Sequence, residues 1–238
     1  MIMTFNGTAS TDVSLDIGSI MKVARPIYPG ARARTQAITG RDGVFFHGKD
    51  RREKYIPVRF HFASSSMSAR RTAVRNLSDW LDVDEPAELI FNDEPAVRYH
   101  AIPVNEIVPD EVVFLGWAEV NFLVPSGYAE STTTKTASPN AGTLETPVEI
   151  TATMQGASND LRITLGSEHI LITPDTAFAL NDEIIIDTNI HYVTINGSDA
   201  REYVSFASTY FKLPVGAFTL TPDPVGTTVA ILYRERFK

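Results

Sequence analysis

The chain has 238 residues, 43% of them hydrophobic, and a formal net charge of −8. That is enough apolar material for one large core or two ordinary ones, and the acidic balance argues against general nucleic-acid binding as the main role. It has no cysteine, which excludes disulfides, thiolate metal sites and cysteine nucleophiles, and leaves a reducing cytosol as the plain expectation.

Along the chain, MIMTFNGTASTDVSLDIG lacks the basic-then-apolar order of a signal peptide. No stretch approaches the ~20 apolar residues needed to span a bilayer, so no membrane partner is expected. Residues 13–27 alternate weakly and end at Pro26 and Pro29-Gly30, a turn signal. Residues 31–54 form a long polar segment with Gly40, Gly43 and Gly48, read as a loop or an extended hairpin arm. In YIPVRFHF, Ile56, Val58, Phe60 and Phe62 alternate with Tyr55, Arg59 and His61, which predicts a half-buried strand.

Residues 66–81 predict the one clear helix. Ser66 or Ser68 caps it, and Met67, Ala73, Val74, Leu77, Trp80 and Leu81 form its apolar face. Arg70, Arg71 and Arg75 fall off that face, and Pro86 prevents continuation. Strands follow at ELIF, VRYHAIPVNEIV and EVVFLGWAEVNFLVP, where Val112, Phe114, Ala118, Val120 and Phe122 alternate with Glu119 and Asn121.

Near residue 130 the pattern changes. SGYAESTTTKTASPNAG, residues 126–142, is almost free of large apolar side chains and by composition buries too little to order itself. Beyond it the chain reads as all-β, with strands at PVEITATM, LRITLG, EHILITP, DEIIIDT, HYVTI, REYVSF, FTLTPD and VAILYRERF and a hairpin signal at Asn196-Gly197. This spacing predicts a β-sandwich. The first module predicts a sheet or sandwich with one helix packed on it.

Charge is segregated. Lys22–Ser78 carries 13 Lys/Arg against 3 Asp/Glu, and Asp79–Glu130 carries 1 against 12. Either these segments pair within one molecule, or the basic face of one copy meets the acidic face of the next, a head-to-tail contact that closes into a ring. A nucleic-acid patch fits less well, because no aromatic residues interleave with the bases.

No catalytic constellation is legible. The chain lacks a phosphate loop, HExxH and GxSxG. His47, His61, His100, His169 and His191 have no ligand spacing. Asp82, Asp84, Glu85 and Glu88 lack the glycine and the distal Glu of a calcium loop. Neither an enzyme nor a cofactor or metal is therefore expected, although a glycosidase with two facing carboxylates is a rival that spacing alone leaves open.

Several segments, in order, resemble the distal tail protein family of siphophages, the long-tailed non-contractile bacteriophages. They are FNG at the N-terminus, GRDG at Gly40–Gly43, RNLSDWL, FNDEPAVRYHA and AEVNFLVPSGYAES, then NAGTLETPVEITATMQG, LNDEIIIDTNIHYVTING and FKLPVGAFTLTPD. The resemblance implies a mainly-β chain: a ring-forming N-terminal domain over 1–130, a linker over 131–141, and a galectin-like sandwich over 142–238. It implies a homohexameric ring at the tail tip. The ring would join the tail tube protein to a tail-tip hub, spike or tail-associated protein, and carry receptor-binding proteins outside and DNA in transit within. The protein would be made in the host cytoplasm and reside in the virion.

On that reading, the ring contacts are expected from Arg41 and Asp42 in the arm, Arg70, Arg71 and Arg75 on the helix, and Asp79, Asp82, Asp84 and Glu85 beyond it. Both tryptophans, Trp80 and Trp117, lie in the first module. The second therefore reads as a protein-docking sandwich without a lectin site. The alternative is a carbohydrate- or receptor-binding adhesin that uses the second module.

Overall fold

The computed structural model describes residues 2–13, 17–27, 30–63, 65–107, 110–112 and 115–238. The chain divides into two compact units, Met1–Thr132 and Thr133–Phe237.

The first unit contains β1 (Met3–Phe5), β2 (Thr8–Ala9), the short α1 (Ser10–Val13), β3 (Ile17–Val23), β4 (Ala31–Ala37), β5 (Val44–Arg51), β6 (Lys54–Ala63), α2 (Met67–Leu81), β7 (Ala87–Phe91), β8 (Val97–Pro103), β9 (Asp110–Val112), β10 (Leu115–Val124) and β11 (Ala129–Ser131). Its main sheet runs β2-β1-β7-β8-β10-β6-β3, with β9 on β10 and β11 on β8. The alternation expected in β6 is present: Ile56, Val58 and Phe60 are buried, while Tyr55 and Arg59 are exposed. Antiparallel β10 continues it, with Ala118 opposite Phe60, Val120 opposite Val58 and Phe122 opposite Ile56. One face of the sheet is therefore apolar. Phe114 and Pro29 lie outside the described residues, as do the side chains of Phe62 and Val112.

Helix α2 covers that face. Ser66, in extended conformation, accepts a hydrogen bond from the Ala69 N–H at 3.1 Å, which satisfies an orphan donor of the first turn. Arg70, Ala73, Leu77 and Leu81 are its buried positions. Trp80 donates its indole N–H to the Phe5 carbonyl at 3.1 Å and meets the Phe5 and Phe60 rings edge-on. Each such ring pair contributes about 0.5–1.5 kcal/mol beyond burial.

Two expectations for this helix need correction. Met67 is 53% exposed rather than core, because it occupies the first turn, ahead of the packed stripe. Arg70, expected off the apolar face, is 2% exposed. It sits three residues before Ala73 on the same stripe, and a long aliphatic stem tolerates that position.

The second unit contains β12 (Glu149–Thr153), β13 (Leu161–Leu165), β14 (Glu168–Ile172), β15 (Glu183–Asp187), β16 (Tyr192–Ile195), β17 (Ser198–Asp199), β18 (Leu220–Asp223), β19 (Thr228–Leu232) and β20 (Arg236–Phe237). Two sheets, β17-β16-β15-β12-β19 and β14-β13-β18, form the layers. Ile150, Ala152, Ile163, Ile170, Ile184, Ile186 and Val193 fill one shared core. Asn196 and Gly197 both have positive φ, 52° and 80°, as the two-residue turn between β16 and β17 requires. The strand expected at REYVSF is absent. Arg201–Tyr203 form a 3-10 turn, and only Val204 makes a bridge, to Ile172.

The Ser/Thr-rich joint is better ordered than its composition predicts. Lys135 bridges Tyr233, and Asn140 bridges Gly216. The Tyr233 hydroxyl donates to the carbonyls of Ala137 and Pro139. Backbone and polar side-chain bonds, not apolar burial, hold this segment.

Candidate assembly interface

The polar segment 31–54 is a hairpin arm. Among the described residues, strands β4 and β5 pair only with each other, from Ala31 opposite Arg51 to Ala37 opposite Val44. Nearly every arm residue is exposed. An isolated two-stranded hairpin is marginal in water, so it needs a fixed root or a partner.

The root is fixed. The Arg52 N–H donates to the Gly30 carbonyl. Lys54 is 3% exposed, and its ammonium lies 5.6 Å from the Tyr99 ring centre. Burial, then the nearby Arg51 charge, holds the Lys54 pKa below its ordinary value. Arg25 lies over the Phe91 ring and pairs with Asp93 and Glu94. Gly127 has a φ of 68°, and a Cβ there would fall 2.2 Å from the Arg52 carbonyl oxygen. Only glycine allows that approach.

The tip is apolar as well as charged. Ile38, Val44, Phe45 and Phe46 are 46%, 60%, 38% and 64% exposed. The Arg41 guanidinium lies 4.1 Å from the Phe45 ring centre. Asp42 follows Arg41 on the turn and is exposed.

The second charged surface is the outer side of α2. Arg71, Arg75 and Asp79, spaced four residues apart, are exposed in one row. Asp82 follows at the cap, and Asp84 and Glu85 in the turn before β7 are also exposed. None of these six forms an ion pair among the described residues. By contrast, Arg25 with Asp93 and Glu94, and Arg59 with Glu119, do join the basic and acidic segments inside the molecule. Part of the charge split is thus neutralised internally, and the arm and helix are left over.

The family described as phage tail protein RIFT-related domain matches residues 13–124. The family described as siphovirus-type tail component, C-terminal domain, matches residues 141–237. No curated protein sequence matches the chain. Among solved structures, SPP1 Dit, called a paradigm of the hub adsorption apparatus in phages that infect Gram-positive bacteria, superposes with a TM-score of 0.84 at 15% identity, over 100% of this chain and 99% of that one. The baseplate of phage p2 in its activated conformation with Ca gives a TM-score of 0.47 at 8% identity, over 90% of each chain.

The chain belongs to the siphophage distal tail protein family. It is a structural component of the phage tail, and its mainly-β fold is the distal tail protein fold.

Of the residues expected at the contacts of this distal tail protein, the structure brings Arg71, Arg75, Asp79, Asp82, Asp84 and Glu85 together along one exposed helix and turn. It sets Arg41 and Asp42 apart at the arm tip and withdraws Arg70 into the core. Sequence reasoning missed the apolar tip. Its signal was the run VFF directly after GRDG, an apolar triplet stranded in a polar segment. Among the described residues, no three His, Asp or Glu side chains gather as a metal site.

Proposed function

We propose that this chain is the hub ring of its phage tail tip: six copies close head-to-tail through their N-terminal units and join the tail tube to the adsorption proteins, around a channel for DNA. One observation carries this reading. The hairpin arm is rooted rigidly, yet ends in an exposed apolar and basic tip that nothing in its own chain covers among the described residues. A monomer gains nothing from such a tip, whereas a neighbouring copy buries it. The exposed, unpaired Arg71 and Arg75 and the acids from Asp79 to Glu85 supply opposite charges suited to a heterologous contact. Likeness to SPP1 Dit, itself called a hub, supports the same role.

The partners on this reading are further copies of the chain, the tail tube protein, and tail-tip or receptor-binding proteins. The site is the virion. The test is the double reversal Arg71→Glu/Arg75→Glu. The monomer should melt as wild type does, while ring formation at low salt is lost. A ring that persists unchanged sinks the helix-row part of the reading.

A further inference from the structure

The second unit carries an aromatic cluster that the interface does not use. The rings of His191 and Tyr210 stack 4.5 Å apart at 15°. The Arg201 guanidinium lies 5.1 Å from the Tyr192 ring centre and is fixed there by bidentate hydrogen bonds to Asp199, at 2.6 and 3.0 Å. Phe206 projects fully into solvent from the following turn.

Two hollows lie on this unit, with Asp199, Arg201 and Phe206 from this set in their walls and the His191, Tyr192 and Tyr210 rings outside them. One, of about 650 Å³, is lined by Asp199, Arg201, Glu202, Val204 and Phe206. A second, of about 320 Å³, shares Asp199 and adds Tyr203 and Asp175 among its walls. Both volumes suit a small ligand, and the two hollows have Asp199 as a common wall.

We infer that this surface binds a neutral oligosaccharide. A pyranose ring offers a C–H face to an aromatic ring and hydroxyl donors to carboxylates. Phe206 and Tyr203 supply ring surface; Asp175, Asp199 and Glu202 supply acceptors; Arg201 supplies donors held in place before binding. An anionic glycan is disfavoured, because four carboxylates, those of Asp175, Asp182, Asp199 and Glu202, line the two hollows against the one guanidinium of Arg201, which is already bonded to Asp199. The site is separate from the ring contacts and does not depend on them. It escaped the sequence because its rings are those of Tyr203 and Phe206, with no tryptophan to mark it.

The test is a glycan array of neutral and anionic oligosaccharides probed with the full chain, followed by calorimetry on the best hits. The expected result is saturable binding to a neutral oligosaccharide that falls roughly tenfold or more in Phe206→Ala and in Arg201→Ala. The arm variant Phe46→Ala should bind as wild type, and all variants should melt normally. Silence across the neutral glycans, preference for anionic ones, or binding indifferent to both site variants would overturn the assignment. So would loss of a tail protein from virions carrying either site variant while the array stays silent, since that marks a protein dock.

Discussion

Single buried polar residues explain the order of this protein where hydrophobic patterning does not. Asn140 is fully buried. Its amide donates to the carbonyls of Leu144 and Pro214, and its Oδ1 accepts the Gly142 N–H. Alanine would take this partner from the buried Gly142 N–H and from two part-buried carbonyls. Asn140→Ala should therefore cost about 1–3 kcal/mol in the second unit, read as a lower urea midpoint by far-UV circular dichroism. Asp182 predicts a pH dependence. It accepts from the Ala179 N–H and the Asn196 side chain, and these bonds, the first larger, hold its carboxyl below the usual range. A depressed folded-state pKa stabilises above the unfolded value, near ~3.9, and the contribution is lost as pH falls through the folded one. The second unit should weaken on acidification through that window. Asp182→Asn should melt lower at neutral pH and show a shallower acid slope. An identical slope in the variant would contradict the assignment.

Elements divide into those that build the core and those that the proposed ring would use for contacts, and on that proposal α2 does both. Leu77 is 5% exposed on its inner stripe, so Leu77→Ala should cost about 2–5 kcal/mol by thermal or urea unfolding. Arg71, on the outer row of the same helix, should tolerate alanine with no measurable change in melting. The hairpin arm predicts the complementary result. Replacing Phe45 and Phe46 with serine should leave the monomer's melting temperature intact and weaken self-association by about 2 kcal/mol or more, as sedimentation would show. Strands β6, β10, β12 and β15 and helix α2 were legible in the sequence, because one buried face imposes a period on them. Arg70 was misplaced because a long side chain can lie on a buried stripe without looking apolar. The strand at REYVSF was misread because an alternation of only a few residues does not distinguish an extended edge from a 3-10 turn. The joint was misjudged because Asn140 orders it through hydrogen bonds, which composition does not register. The arm was read as loop or hairpin, but its apolar tip is a feature of exposure, visible only once the fold shows what leaves Phe46 uncovered.

The whole molecule joins a charge-segregated N-terminal unit to a β-sandwich. Internal pairs at Arg25 and Arg59 neutralise only part of the segregation. The exposed remainder is screened by salt over about 8–10 Å at physiological strength, so contacts that use it should weaken as salt rises, while the apolar arm tip should resist. Ring formation with partial salt sensitivity is the signature of both acting together. The most direct measurement is mass in solution by light scattering, at low and high salt, for the chain alone and with tail tube protein added. The account predicts an assembly near six times the 26.2 kDa chain at low salt, reduced but not abolished at high salt. A single 26.2 kDa species under every condition, with tube protein present, would contradict it.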